Sequence, residues 1–176
     1  MATYTADLHD LIAPRTLRRA ASLGLVRRTR SRGRPRVAEG EAEYLRDHWE
    51  VLAALRTALR TDRSVAAAVL FGSFARGDDD PGSDVDIAVL PRGARYDAAV
   101  LRETLSRVVH RHVDVVDWGS LLQSPEMALA VAKDGRPLVD RVAAFAALRN
   151  DRENARRRAA RLRARQWRQI ERLWGV

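Results

Sequence analysis

The chain reads VAAAVLFGSFARGDDDPGSDVDIAVL from residue 65 to residue 90. Two apolar runs of strand length, Val65–Phe71 and Val85–Leu90, enclose a segment rich in glycine, serine and aspartate. Continuous apolar runs of this length are typical of strands that are buried on both faces of a sheet. The first run ends at Gly72-Ser73, where small residues predict a tight turn into a helix, and two aspartates alternate along the second.

Helices and a third strand are predicted around these two strands. Apolar residues at steps of three and four predict a long helix from Glu39 to Arg60 and further helices over Asp97–Val109 and Pro125–Lys133. The valine-rich run His112–Trp118 predicts the third strand. Because helices alternate with strands, the sequence predicts an α/β fold with a small mixed sheet flanked by helices.

The first 38 residues are predicted to form a winged-helix-like annex. Residues 13–25 indicate a short helix, since Pro14 suits a helix start and Gly24 suits a helix end. Two short extended pieces then enclose a basic Gly/Pro turn at residues 30–36. A helix followed by a basic hairpin is the order found in winged-helix DNA-binding modules.

Five arginines of this annex are the predicted DNA contacts. Arg15, Arg18 and Arg19 lie on the predicted helix. Arg32 and Arg34 flank a glycine in the sequence RGRP, which suits the narrow minor groove of A·T-rich DNA. A solvated, arginine-rich turn is the alternative interpretation.

Composition narrows the classes of protein. The 176 residues include 32 basic and 23 acidic side chains and no cysteine, so a disulfide framework and a thiolate metal site are excluded. No apolar run is long enough for a transmembrane helix, and the N-terminus lacks the layout of a signal peptide. These features predict a cytoplasmic protein with no membrane partner.

The net charge of +9 is unevenly distributed along the chain. Residues 1–60 carry +5, residues 61–140 carry −4 and residues 141–176 carry +8. This pattern predicts an acidic catalytic centre between two segments that attract anions.

We expect three units: the annex at 1–38, a catalytic domain at 39–140 and a long arginine-rich C-terminal helix at 141–176. The partner of that helix stays open among RNA, DNA, an acidic protein, a second copy in a homo-oligomer, and solvent.

Three aspartates are the candidate metal ligands. Asp84 and Asp86 leave the same face of the second strand about 6.6 Å apart, because side chains alternate along a strand. Two such carboxylates repel each other unless a cation lies between them, so the pair predicts a Mg²⁺ site. Asp114 would complete the cluster if the second and third strands are neighbours. Asp117 is the alternative third carboxylate, but it has the opposite parity on its strand.

Other polar residues of the same region are given structural interpretations. Asp78, Asp79 and Asp80 precede Pro-Gly and are interpreted as solvated turn residues. His110 and His112 border the third strand and are interpreted as surface or packing residues. None of these five is predicted to bind a metal.

The spacing of these motifs resembles the DNA polymerase β nucleotidyltransferase superfamily. Gly-Ser is followed, after ten residues, by Asp-apolar-Asp-apolar and then by a later strand aspartate. The compact form GSFARG…SDVDIAVL is similar to the minimal nucleotidyltransferases, a small prokaryotic group often encoded with a HEPN-domain partner as toxin–antitoxin pairs. The resemblance covers residues 40–140 and implies the polymerase β-like nucleotidyltransferase fold.

The resemblance implies a role for each residue of the motifs. Gly72 and Ser73 would hold the triphosphate of an NTP, with Arg76 as a further phosphate contact. Asp84 and Asp86 would coordinate two catalytic Mg²⁺ ions, and Asp114 would bind metal and help to activate the attacking hydroxyl. NMP would pass to a protein or RNA acceptor with release of pyrophosphate, AMP from ATP being the favoured case.

The implied biological role is that of an antitoxin. It would pair with a HEPN-domain toxin and regulate its own transcription through DNA contacts at residues 15–37. Two alternatives stay open. One is a DNA-binding transcription regulator that uses the fold as a sensor or docking module. The other is a small-molecule nucleotidyltransferase of the aminoglycoside type, although the short chain leaves little room for its acceptor domain.

Overall fold

The computed structural model describes residues 8, 10–31 and 34–174. Its elements follow one another along the chain as α1 (Pro14–Leu23), β1 (Arg28–Ser31), β2 (Arg34–Val37), α2 (Glu41–Thr61), β3 (Val65–Phe71), α3 (Gly72–Arg76), β4 (Val85–Pro91), α4 (Ala98–Val109), β5 (Val113–Asp117), α5 (Trp118–Gln123), α6 (Pro125–Asp134), β6 (Arg136–Asp140), α7 (Ala144–Asn150) and α8 (Arg152–Trp174). Within the described residues, no helix combines the length and the apolarity needed to cross a bilayer.

The central sheet has four strands in the order β5-β4-β3-β6. Strand β3 runs antiparallel to both β4 and β6, whereas β4 and β5 are parallel. The predicted α/β class with a small mixed sheet is therefore confirmed. Because β4 and β5 are neighbours, the condition attached to the third aspartate is met.

The two faces of the sheet bury different sets of helices. Alternate residues such as Leu70 and Ile87 pack with α1, α2 and α4, and the intervening residues Val69 and Ala88 pack with α5, α6 and α7. All seven residues of β3 are buried, as its uninterrupted apolar sequence predicts. The strongly apolar central strand thus holds the two helical layers together.

Strand β6 was not among the predicted elements. It begins with Arg136 and Pro137, and neither residue type indicates a strand. Proline is tolerated there because β6 lies at the edge of the sheet, where one side of the strand needs no ladder partner. Only the pairing of β6 with β3, far away in sequence, makes this segment a strand.

The annex has the predicted order of a helix followed by a hairpin. Strands β1 and β2 pair antiparallel. Leu17 and Ala20 of α1, with Leu25 after it, are buried in the same core as α2 and the sheet. Arg15, Arg18 and Arg19 lie exposed on α1, Arg34 lies in β2, and Arg32 lies outside the described residues. Its DNA contacts and the domain boundaries at residues 38 and 140 stay predictions.

The prediction of one long C-terminal helix from residue 141 is wrong in one respect, since the segment contains two helices. The backbone N–H of Arg141 donates to the carbonyl of Ala66 and so continues the edge of the sheet. Helix α7 ends at Asn150, and the carboxylate of the next residue, Asp151, accepts hydrogen bonds from Asn154 and Arg158 in the first turns of α8. Helix α8 then packs on α6, and its arginines at positions 156–158, 161, 163 and 165 are exposed.

Candidate active site

The sheet register brings the Gly-Ser turn and two aspartates into one row. Asp86 pairs with Phe71 on one side and with Asp114 on the other. Gly72 follows Phe71 directly, so it lies at the same end of the sheet. Asp84 lies just before β4 and has the same parity as Asp86, while the intervening Val85 is fully buried in the opposite layer. The three predicted metal ligands therefore share one face and one end of the sheet.

Gly72 lies against the carboxylate of Asp86. Its φ of +76° is in the left-handed region, and a Cβ at this position would lie 2.0 Å from Asp86 Oδ2. Any larger residue would therefore be strained and would displace the aspartate. From the sequence, glycine is expected here because it lets a phosphate approach the backbone closely. The structure adds a second reason, which is the close contact with Asp86.

Ser73 and Arg76 lie on α3, a short helix whose Phe74 is buried. Ser73 is half-buried beside the turn. Arg76 is exposed, and its Nε donates to Asp78 Oδ2 at 3.0 Å. A phosphate contact by Arg76 would therefore replace a surface ion pair, which costs little.

Electrostatic repulsion is concentrated at Asp86. Its pKa is raised, first because the side chain is partly buried and then because Asp114 and Asp84 carry like charges; Arg76 partly offsets the shift. Asp84 Oδ1 lies 3.1 Å from Nδ1 of His112, and both side chains are more than half exposed. A cation beside Asp86 would relieve this repulsion.

These residues fit the chemistry of a divalent metal. Carboxylate oxygens are the ligands that Mg²⁺ prefers, and mutual repulsion at Asp86 is the condition that such an ion would remove. Across the described part of the chain, no three histidine, cysteine, aspartate or glutamate side chains already converge as a metal-binding group.

Asp117, the alternative third carboxylate, is engaged elsewhere. Its Oδ1 accepts hydrogen bonds from the backbone N–H groups of Gly119 and Ser120 and so caps α5. It lies at the far end of β5, whereas Asp114 lies beside Asp86. The geometry therefore favours Asp114 as the third site residue.

The interpretation of Asp79 as a solvated turn residue is wrong. Asp78 and Asp80 are exposed, but the Asp79 side chain is 7% exposed and forms ion pairs with His48 and Arg111. Both partners come from segments far away in sequence. The run of three aspartates gives no local signal that its middle member differs from its neighbours.

A buried ion pair behind the site was also missed. Arg136 is 1% and Glu41 is 3% exposed, and the two side chains form two hydrogen bonds of 2.5 and 3.0 Å. Arg136 also donates to the carbonyls of Ala75, on α3, and Leu25, and its guanidinium lies 3.6 Å from the ring centroid of Tyr44. This pair therefore joins α2, β6 and the annex to the short helix that carries Ser73.

Gly72→Ala is expected to destabilise the fold more than Gly93→Ala. Both glycines have a similar positive φ, of +76° and +80°, but a Cβ on Gly93 meets nothing within 4 Å. Gly93→Ala should lower the free energy of unfolding by about 1–2 kcal/mol through backbone strain alone. Gly72→Ala should lose at least about 1 kcal/mol more, because the methyl group overlaps Asp86. Urea unfolding of both variants measures the difference, and equal losses would contradict this packing.

Comparison with known proteins agrees with this geometry. The family model described as "Polymerase beta, Nucleotidyltransferase" matches residues 54–143. No curated protein matches the sequence.

Three solved structures share the fold. A toxin–antitoxin crystallised with AMP-PNP is 22% identical, with a TM-score of 0.53 and coverage of 70% of this chain and 98% of the other. A mutant of the toxin–antitoxin MntA-HpeT is 21% identical, with a TM-score of 0.54 and the same coverage. A complex of the tri-AMPylated Shewanella oneidensis HEPN toxin with its MNT antitoxin is 20% identical, with a TM-score of 0.50 and coverage of 70% and 96%.

The family match spans the three strands and the short helix that carry the site. Within it lie the Gly-Ser turn, the aspartate pair and the strand aspartate that the register brings together. With half of its residues inside the match, the chain belongs to the polymerase β nucleotidyltransferase family.

Proposed function

We propose that this nucleotidyltransferase transfers AMP from ATP to a protein or RNA acceptor with Mg²⁺. The observation that carries the proposal is a row across three neighbouring strands, in which Phe71, the residue before Gly72, pairs with Asp86, and Asp86 pairs with Asp114. The Gly-Ser turn, which consists of small residues, therefore lies beside the carboxylates of Asp86 and Asp114. The structure crystallised with AMP-PNP supports an adenine nucleotide as the substrate of this fold.

In the proposed reaction, the role of each residue follows from its position in the site. Ser73 and the backbone N–H groups at the start of α3 hold the triphosphate. Asp114 is exposed at the start of β5 and is therefore accessible to an acceptor hydroxyl. It takes the hydroxyl proton as the acceptor oxygen bonds to the α-phosphorus. The bond from that phosphorus to the β-phosphate oxygen breaks, and pyrophosphate leaves.

The metal sites are assigned to the same three carboxylates. Asp84 and Asp86 would hold two Mg²⁺ ions, with Asp114 as a further ligand. When bound, the ions supply positive charge for the triphosphate and for the departing pyrophosphate. Arg76, released from Asp78, would add a phosphate contact at the open side of the site.

The proposed partner and acceptor is a HEPN-domain toxin, and the chain would act as its antitoxin. This assignment is supported by the fold shared with an MNT antitoxin in complex with a tri-AMPylated HEPN toxin. A cytoplasmic location accompanies this proposal. Pairing with a second copy of the chain stays an open prediction.

A labelling experiment tests the reaction and its acceptor together. The full chain is incubated with Mg²⁺, each α-³²P-labelled NTP in turn, and either a HEPN-domain protein encoded beside it, total RNA or an aminoglycoside. We expect label from ATP on the protein or RNA, and none with the variant Asp84→Ala/Asp86→Ala. Transfer that persists in this variant would refute the site. Nucleotide binding without transfer to any acceptor would favour the sensor alternative.

We further propose that the annex binds DNA. Three arginines of α1, Arg15, Arg18 and Arg19, are exposed, and the β1–β2 hairpin follows this helix in the order of a winged helix. Exposed arginines attract phosphate and can enter a narrow minor groove. This proposal gives the antitoxin a means of controlling its own transcription.

Substituting both hairpin arginines is expected to weaken DNA binding. Arg32→Ala/Arg34→Ala should reduce affinity for an A·T-rich duplex by about 10-fold or more in a gel shift, and wild-type binding should fall steeply with added salt. Arg102→Ala/Arg107→Ala, on exposed positions of α4, removes the same charge elsewhere and serves as the control. Binding that is insensitive to salt and to the hairpin substitutions would remove the proposal.

A further inference from the structure

The loop between the Gly-Ser turn and the aspartate pair is anchored at Asp79. Residues 77–84, all of them described, form neither helix nor strand, and backbone turns and side-chain contacts together hold this loop. The Asp79 side chain is 7% exposed, whereas that of its neighbour Asp78 is 60% exposed. The loop thus directs one of its three consecutive carboxylates into the protein.

Two basic side chains from distant segments hold Asp79. Nε2 of His48, on α2, donates to Oδ1 at 2.8 Å, and Nη1 of Arg111, in the turn before β5, donates to Oδ2 at 3.0 Å. Burial by itself would raise the pKa of Asp79, but the hydrogen bonds from His48 and Arg111 outweigh it, and the pKa lies below its usual value. The carboxylate is therefore a charged, fully engaged group.

His48 is held on both edges of its ring. Its second ring nitrogen, Nδ1, lies 2.8 Å from the backbone carbonyl oxygen of Tyr44. The Tyr44 ring stacks on the His48 ring with centroids 4.3 Å apart. The imidazole that donates to Asp79 is therefore fixed in position by α2 itself.

The side chains of His48 and Arg111 also contact both halves of the candidate active site. Phe74, the residue after Ser73, meets the His48 ring edge-on at 4.8 Å between centroids, and the guanidinium of Arg111 lies 5.0 Å from the Phe74 ring centroid. Nη2 of Arg111 also donates to the carbonyl of Ser83 at 2.8 Å, directly before Asp84. The cluster thus contacts the neighbour of each motif residue.

We propose that Asp79, with His48 and Arg111, is a positioning residue that sets the separation between Ser73 and Asp84. The inference rests on the proposed function, in which Ser73 holds the triphosphate and Asp84 holds a metal ion. A shift of about 1 Å between reacting groups lowers a rate by about 100-fold, and loss of an outer contact to a metal ligand weakens metal binding by about 10- to 100-fold. The three residues therefore act through geometry, without contacting the nucleotide.

Asp79→Asn in the full chain tests this inference, with Asp78→Asn as the matched control one residue away. Asp79→Asn should lower kcat for nucleotidyl transfer by about 10- to 100-fold and weaken Mn²⁺ binding by at least about 5-fold. Asp78→Asn should change both by less than about 2-fold, since the Asp78 side chain is exposed and its ion pair with Arg76 lies at the surface. A purely structural role of Asp79 would reduce the folded fraction but leave kcat and Mn²⁺ affinity per folded molecule unchanged.

A spectroscopic readout follows the cluster independently of transfer. Wild type should show a slowly exchanging Nε2–H signal from His48 in ¹H–¹⁵N NMR, assigned with His48→Gln, and this signal should exchange faster or disappear in Asp79→Asn. A folded Asp79→Asn that matches Asp78→Asn in kcat and Mn²⁺ affinity overturns the inference. If wild type transfers no nucleotide, the proposed function fails, and Mn²⁺ affinity alone then decides the positioning role. If Asp79→Asn does not fold, the same criteria apply to Arg111→Lys. Lysine keeps the positive charge but lacks the second guanidinium nitrogen, which donates to the carbonyl of Ser83.

Discussion

Asp86→Asn is expected to reduce nucleotidyl transfer by at least about 10³-fold and, at the same time, to stabilise the fold. The rate falls because the substitution removes a proposed metal ligand from the centre of the site. Stability rises because the pKa of Asp86 is held up by burial and by Asp114 and Asp84, so the charged form is unfavourable in the folded state at neutral pH. We expect a Tm about 1–3 °C higher, measured by thermal unfolding without added metal.

Asp117→Asn is the matched control. It removes one negative charge from the adjacent strand, and asparagine still caps α5, so transfer should stay within about 2-fold of wild type. The pair of variants also decides between Asp114 and Asp117 as the third site residue. A lower Tm for Asp86→Asn, or an equal loss of transfer in both variants, would contradict the proposed carboxylate cluster.

Glu41→Leu is expected to be the most destabilising of the substitutions considered, with a loss of about 3–5 kcal/mol in the free energy of unfolding. It leaves the guanidinium of Arg136, which is 1% exposed, without its buried counter-charge. The loss should extend to the site, because Arg136 also holds the carbonyl of Ala75 at the end of α3. Urea unfolding measures the free energy.

Two companion variants identify the cause of that loss. Glu43→Leu, on an exposed position of the same helix turn, should change stability by less than about 0.5 kcal/mol. Glu41→Leu/Arg136→Met removes both charges and should recover at least about 1 kcal/mol relative to Glu41→Leu, since an apolar pair replaces an unpaired buried charge. A double variant that is no more stable than Glu41→Leu would contradict an unpaired buried charge as the cause of the loss.

Prediction from the sequence succeeded where one segment holds its own signal. The apolar runs of β3 and β4 and the helical spacing of α2, α4 and α6 are local patterns, and the structure has these elements within about two residues of their expected bounds. The motif that identifies the family is local as well. Prediction from the sequence failed for β6, which begins with Arg-Pro, and for the break between α7 and α8 at Asp151. Contacts with neighbouring elements determine both features.

For the candidate site too, some features follow from the local sequence and others only from the tertiary structure. Alternation along a strand was enough to put Asp84 and Asp86 on one face, and the spacing from Gly72-Ser73 was enough to indicate the family, because both depend on residues close together in the chain. Distant segments decide the rest. The register of β3, β4 and β5 places Gly72 beside Asp86, and Asp86 beside Asp114. Contacts with His48 on α2 and with Arg111 before β5 turn Asp79 inward, while Asp78 stays in solvent. Packing and charge pairing between segments remote in sequence carry no local pattern, so only the tertiary structure assigns those roles.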